Sequence, residues 1–408
     1  MRGAGFDLSP WVARCGNAGI LAAIALGVSP LGIKLLTGRE DLTFRVTLIS
    51  LALCAFLALV AAAAVAPGRV RWFMFYLIAV ALPVPILAGL EVAAIATDLA
   101  DRIAPIEDSS VYAARKSWPA HFMSDARTYD VDGLRLYRPW QGDGIATNEL
   151  GLRTESPRPK RPGEWRIAVT GGSAIWGTYV RDVDTIPAQL ARALGERGYK
   201  NVTVYNFGIE GAGLASELAL LERFRDAYAL DQVTFYTGFN DVLGRYFTLR
   251  PSRTIRTGLG SLELVKAASR LTARLWPSRP VMDAESRAHI RHSNGLGDAI
   301  IAASHYCGAQ RLRCDFVLQP WLLSRARPLG SEIALRRGVT ATFPGLAQLR
   351  EDMHAGALAV GPAGHTYDLG DALDDVAVPV FGDMVHVNEL GNKAIAQRLV
   401  GIARPEIP

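Results

Sequence analysis

Apolar residues crowd the first quarter of the chain and then thin out. Three long apolar stretches, about Asn17 to Leu36, Thr43 to Ala66 and Trp72 to Ala94, each reach the roughly 20 residues that a helix needs to cross a hydrocarbon layer. They predict a membrane anchor over residues 1–100 with three transmembrane helices. A cleaved signal peptide would show one short apolar region and a small-residue cleavage site, which three long segments in succession do not resemble. Arg2 and Arg14 lie in the N-terminal arm, and Arg69 and Arg71 lie between the second and third segments, whereas the first loop mixes Arg39, Glu40, Asp41 and Arg45. The positive-inside rule puts the arm and the Arg69 loop in the cytoplasm and everything after the third segment outside. Glu91, close to the outer end of that segment, reads as a side chain reaching the interface.

Beyond the anchor, residues 98–162 are polar, without periodicity, and end in a Pro/Arg/Lys-rich run from Glu155 to Gly163. We read 101–162 as an extracytoplasmic linker or small subdomain. From Trp165 onward, short apolar runs alternate with helical patterns, the signature of a layered α/β domain with a parallel sheet over residues 163–408. The strands expected are Trp165 to Thr170, Asn201 to Asn206, Gln232 to Tyr236, Asp315 to Gln319 and His365 to Leu369. Between them helices are expected at Thr185 to Gly195, Leu214 to Tyr228, Ala284 to Cys307, Ser331 to Gly356 in pieces, and Glu389 to Ala403 behind an Asn388 cap. In such a sheet, chemistry belongs at the carboxyl ends of the strands.

Those ends carry unusual residues. The first strand runs into Gly171-Gly172-Ser173, where two glycines allow a sharp turn that presents a serine hydroxyl. An ordinary glycine turn or a phosphate loop would use similar residues, but the Gly-Lys-Ser/Thr ending of a phosphate loop is missing. The second strand ends in Asn206-Phe-Gly208-Ile-Glu-Gly211-Ala-Gly213, a turn that opens a helix and can offer backbone N–H groups to developing negative charge. The third ends in Gly238-Phe-Asn240-Asp241, placing a side-chain amide at the same edge. Near the C-terminus, Asp383 and His386 are three residues apart on a loop, a spacing that lets a carboxylate hold one ring nitrogen and leave the other as a base. Trp176 and Tyr179 read as core packing rather than as walls of an acyl pocket.

Taken together, the four blocks resemble the SGNH hydrolase superfamily, the GDSL esterase/lipase-like proteins, over residues 163 to 408. The resemblance implies a three-layer α/β/α fold with Ser173 as nucleophile and Asp383 and His386 completing the triad. The oxyanion hole would be built from Ser173, Gly211 and Asn240. Gly211 rather than Gly208 is implied because the family carries this glycine five residues after the strand-end Asn. The chain departs from the family's name-giving motif in having Gly172 where Asp is usual, so support for that loop must come from elsewhere. An α/β-hydrolase elbow fits less well, because it wants glycine where Ile175 stands.

An exported SGNH-like domain on an anchor implies a multi-pass protein of a bacterial inner membrane with its catalytic domain periplasmic. Its expected activity is hydrolysis of O-acyl, in particular O-acetyl, groups on a small molecule or an envelope polysaccharide. O-acyl transfer through the same acyl-enzyme and a non-catalytic glycan-binding scaffold are the alternatives. Three helices are too few for a complete acyl-donor transporter, which leaves room for a membrane-protein partner. No cofactor or metal is implied. The net charge of +5 is modest and the basic residues are spread too widely to suggest a nucleic-acid protein, so no nucleic-acid partner is expected. Cys307 and Cys314 can pair in an oxidising compartment or remain two buried thiols. The basic insert from Arg245 to Arg279 includes an amphipathic stretch, Ser261 to Trp276, suited either to anionic headgroups or to plain solvent exposure.

Overall fold

A computed structural model describes residues 9–37, 44–111, 128–131, 133–142, 144–249, 262–275, 287–288, 290, 295–403 and 405. The chain divides into two compact units, Met1–Ile103 with Ser252–Thr272, and Ala104–Pro251 with Ala273–Pro408. This division falls elsewhere than the sequence pattern suggested: the stretch 104–162 belongs with the α/β fold, and part of the basic insert belongs with the apolar helices.

In the first unit, helices run over Ser9–Val28, Pro30–Thr37, Phe44–Val65, Gly68–Ala81, Pro83–Ala96 and Leu99–Ile103. Among the described residues two spans are long and apolar enough to cross a membrane, Val46–Val65 and Gly68–Ala96, while Gly16–Val28 is shorter. The first apolar stretch of the sequence is cut because Pro30 cannot donate to the preceding turn. Ser29 caps the restart, its hydroxyl accepting from Gly32 N–H at 3.0 Å. The amphipathic stretch forms a helix, Glu263–Leu275. Glu91 is buried, contrary to its expected reach to an interface. Its two carboxylate oxygens take the N–H groups of Glu263 and Leu264, so it caps this helix at its first turn. Of the insert's arginines, Arg250, Arg253, Arg256 and Arg279 lie outside the described residues.

The second unit is built on a five-stranded parallel sheet. Two short antiparallel pairs come first, β1 (Thr128–Val131) with β2 (Leu134–Tyr137), and β3 (Trp140–Gly142) with β4 (Ile145–Thr147). The sheet proper comprises β5 (Trp165–Gly171), β6 (Val202–Gly208), β7 (Gln232–Thr237), β8 (Arg313–Leu318) and β9 (Thr366–Asp368), in the order β6-β5-β7-β8-β9. β7 is buried at every position, as a parallel strand covered on both faces must be. The helices Ile186–Glu196 and Glu389–Ala403 pack together on one face, and Leu214–Tyr228, Gly295–Ala309 and Leu346–Val360 pack together on the other. Connections leave β5 in both directions along the sheet, so the reversal point, where a crevice forms outside the carboxyl ends, lies between β5 and β7.

Local chemistry explains the element ends. Thr185 caps the helix Ile186–Glu196 through Ala188 N–H, and Asn388 caps Glu389–Ala403 through Gly391 N–H at 3.1 Å. Cys307 on the helix Gly295–Ala309 and Cys314 on β8 form a disulfide.

Candidate active site

Each block of the sequence arrives at the carboxyl edge of the sheet by a short path. Ser173 opens a one-turn helix, Ser173–Trp176, directly after β5, with Gly172 as its N-cap. The first N–H groups of a helix have no intrahelical acceptor, so the turn presents donors as well as a hydroxyl. Gly208 ends β6 so close to this helix that a Cβ on it would lie 2.1 Å from Trp176 N. A Cβ on Gly172 would lie 2.4 Å from Asn240 Nδ2 and 3.1 Å from Ala212 O. Three strand ends therefore converge on the serine, and the position where the family has Asp has no room here unless Asn240 moves.

Asn240 follows β7 and donates one amide hydrogen to Ala212 O at 2.7 Å, which fixes the rotamer and leaves the second hydrogen for another acceptor. Its neighbour Asp241 accepts from Leu214 N–H at 3.1 Å and from the Thr237 hydroxyl at 3.2 Å, tying the third block to the start of the helix after the second. Burial pushes the Asp241 carboxyl up despite these bonds. Glu217, on the same helix and fully buried, is pushed well above the usual carboxylate range by burial and then by Asp241. Gly211 sits at φ +76°, and a Cβ there would meet nothing within 4 Å, so its surroundings are open.

The loop from Val380 to Asn388 carries Asp383 and His386. His386 Nε2 lies 2.7 Å from Ser173 Oγ, and His386 Nδ1 lies 2.6 Å from Asp383 Oδ2. The other carboxylate oxygen of Asp383 accepts the N–H groups of Val385 at 2.8 Å and His386 at 2.7 Å. Burial alone would raise the Asp383 carboxyl, but the imidazole and these hydrogen bonds hold it below its usual value. For His386, burial works toward the neutral ring, yet the charge and hydrogen bond of Asp383 outweigh it, with Glu210 and Glu107 adding to the rise. Tyr179, at φ +71°, sets its ring edge-on to the imidazole with centroids 5.7 Å apart.

Several residues that the sequence reading passed over hold this arrangement in place. Arg153, from the stretch read as a linker, has no exposed side-chain surface. It donates to Trp176 O, Gly177 O and Val180 O, and pairs with Asp182 at 2.6 Å. This is the loop support that Gly172 does not provide. Trp176 is core, as expected, stacked on Tyr137 with centroids 5.0 Å apart. Glu332 and Arg325, both buried, pair at 2.6 Å, and Glu332 also accepts from Val380 N–H at 2.8 Å and Phe381 N–H at 3.0 Å, at the root of the His386 loop. Asp108 N–H donates to Gly382 O, so the segment before the first β-hairpin touches that loop too. None of these residues sits in a recognisable motif; an arginine or glutamate in a polar stretch gives no local sign of its eventual partner.

Among the described residues no group of His, Cys, Asp and Glu is placed to hold a metal ion. The arrangement can do acyl-transfer chemistry: a hydroxyl, a base within hydrogen-bond reach, an acid orienting that base, and amide donors at the same edge.

No protein-family model matches the chain, and no curated protein matches it. Solved structures are similar to it at low identity. An acetyl xylan esterase, AlAXEase, shares 13% identity at a TM-score of 0.37, covering 58% of this chain and 99% of that one. LAE5, an α/β hydrolase enzyme from the metagenome of Lake Arreo, Spain, shares 15% at 0.36, covering 58% and 94%. A member of the lipolytic G-D-S-L family from Veillonella parvula shares 14% at 0.33, covering 59% and 98%.

Proposed function

We propose that the chain is a membrane-anchored serine acyl-ester hydrolase of SGNH type, acting on O-acyl groups, O-acetyl in particular, of an extracytoplasmic or cell-envelope substrate. The observation that carries this reading is the continuous hydrogen-bonded relay from Ser173 Oγ through both ring nitrogens of His386 to Asp383. In this mechanism Ser173 Oγ attacks the ester carbonyl while His386 Nε2 takes its proton. The C=O electron pair moves onto oxygen, where the Ser173 and Gly211 N–H groups and the Asn240 amide receive the charge. On collapse, the C–O bond to the alcohol breaks and His386 returns the proton to the leaving oxygen, giving an acyl-serine. Water then attacks with the same base, and the carboxylic acid leaves. Asp383 keeps the ring in the tautomer with Nε2 open and stabilises the imidazolium without taking its proton.

The export half of the reading is supported by the two apolar spans and by the Cys307–Cys314 disulfide, since disulfides persist chiefly in oxidising compartments. The test uses the full chain in detergent with p-nitrophenyl acetate and with an O-acetylated polysaccharide, measuring free acetate. Turnover that Ser173→Ala abolishes is expected. Acetyl groups appearing on an added glycan instead of in water would turn the reading to transfer, and equal rates for wild type and Ser173→Ala would overturn it.

A further inference from the structure

Glu210 occupies the turn between Asn206 and Gly211, where a backbone donor is needed but no side chain is. Its carboxylate is nevertheless held from two sides. The Thr178 hydroxyl donates to Oε1 at 3.0 Å, and the Tyr137 hydroxyl donates to Oε2. Thr178 follows the Ser173 helix and precedes Tyr179, whose ring touches His386. Tyr137 comes from β2 and stacks on Trp176. Two side chains from separate elements thus hold this carboxylate, one residue before Gly211, and one of them adjoins the Tyr179 ring that lies against the imidazole.

A glutamine fills the same space and keeps one acceptor oxygen, but it lacks the charge and sets an amide NH2 where the second oxygen stood, so one of the two hydroxyls must turn to accept. Three acidic groups act on His386 to raise it: Asp383 from its own loop, Glu210 from the turn after β6 and Glu107 from the segment before the first hairpin. Arg153, the cation that interacts with Glu210, is bound to Asp182 and to three carbonyl oxygens.

We propose that Glu210 is a positioning residue for the Ser173 chemistry, holding the Gly211 turn and supplying a fixed second negative charge that stabilises the imidazolium formed on His386. This rests on the hydrolase reading above. A purely structural glutamate would brace the turn and leave the base unaffected.

The experiment compares full-length wild type, Glu210→Gln and Glu210→Asp in detergent by two readouts. One is the acid limb of kcat/KM for p-nitrophenyl acetate. The other is the titration of the His386 ring in ¹³C-histidine-labelled protein, its resonance assigned by loss in His386→Ala. In Glu210→Gln both midpoints are expected to move to lower pH and the plateau kcat/KM to fall about tenfold, the equivalent of about one pH unit of lost imidazolium stabilisation. Glu210→Asp, which keeps the charge on a shorter arm, should keep its midpoints nearer to wild type. Unchanged midpoints in folded Glu210→Gln, or equal shifts in both variants, would overturn the proposal. Because the resonance reports the ring without turnover, a shifted titration in a protein that hydrolyses nothing would sink the hydrolase reading and leave the electrostatic coupling standing.

Discussion

Glu332 offers the most severe test of how the loop that carries Asp383 and His386 is held. Its carboxylate is completely buried and accepts from Arg325 Nη1 at 2.6 Å, Val380 N–H at 2.8 Å, Phe381 N–H at 3.0 Å and Leu329 N–H at 2.9 Å. Arg325 in turn donates to Val376 O and Val378 O, so the pair grips both sides of the strand-like approach to Asp383. Beyond that grip the loop closes on itself: Gly382 N–H donates to His386 O at 3.1 Å, and Asn388 N–H to Val380 O at 2.9 Å. Replacing Glu332 by Gln keeps the volume but leaves a buried guanidinium without its counter-charge. Breaking one partner of a buried pair costs about 3 to 5 kcal/mol, which for a domain of this size lowers Tm by roughly 6 to 20 °C. Urea unfolding in detergent, followed by tryptophan fluorescence, measures the loss, and p-nitrophenyl acetate turnover measures the effect on the loop. Apolar replacement of both partners, Arg325→Met with Glu332→Leu, removes the uncompensated charge but leaves the Val380 and Phe381 N–H groups without an acceptor, so it should recover part of the stability and none of kcat. A coupling energy below about 0.5 kcal/mol in the double-mutant cycle, the level found for independent sites, would refute the claim that this pair anchors the loop.

Removing the Asn240 amide by substitution with Ala should lower kcat by about 10² to 10³, the usual loss for one oxyanion donor, with KM little changed; an unchanged kcat would remove Asn240 from the mechanism. Changing Asp383 to Asn should cost about 10⁴ in kcat, since the imidazole then favours the wrong tautomer, and a loss under tenfold in a folded variant would contradict the relay. The pH dependence has a defined sign. His386 must be neutral to accept the Ser173 proton, and its environment raises its titration above the ordinary imidazole value of 6.5, so kcat/KM should fall on acidification with a midpoint above that value. A midpoint at or below it would show that the negative charges do not act on the ring. Finally, opening the Cys307–Cys314 bridge by a double Ser substitution should destabilise the fold by about 2 to 3 kcal/mol, from the entropy of a loop this short, measured by the same urea unfolding; no loss would mean that the crosslink adds nothing.

How much of this was legible along the chain varies with the range of the interactions involved. Leu214–Tyr228 and Glu389–Ala403 are helices with the bounds that periodicity and the Asn388 cap indicated. The five strands of the sheet lie within two residues of their expected starts and ends, because the central strands β5, β7 and β8, covered on both faces, read as short apolar runs. The four blocks were visible too, since strand-end glycines and a closely spaced Asp and His carry their chemistry locally. The anchor was less so: apolar content does not register that Ser29 and Pro30 interrupt the first stretch and that Glu91 turns inward to cap a helix more than 170 residues away.

What the sequence alone determined, then, is the set of elements and the residue types at their ends, because those follow from side-chain pattern and backbone freedom within a few positions. Only the tertiary structure decided who braces whom. Arg153 on the Ser173 turn, Glu332 beneath the His386 loop and Glu210 on the turn before Gly211 each meet partners 23 or more positions away. Nothing in the composition around them marks the meeting. A charge in a polar stretch looks like any solvated charge until the fold removes the water, and with it every alternative to the partner that the fold brings near.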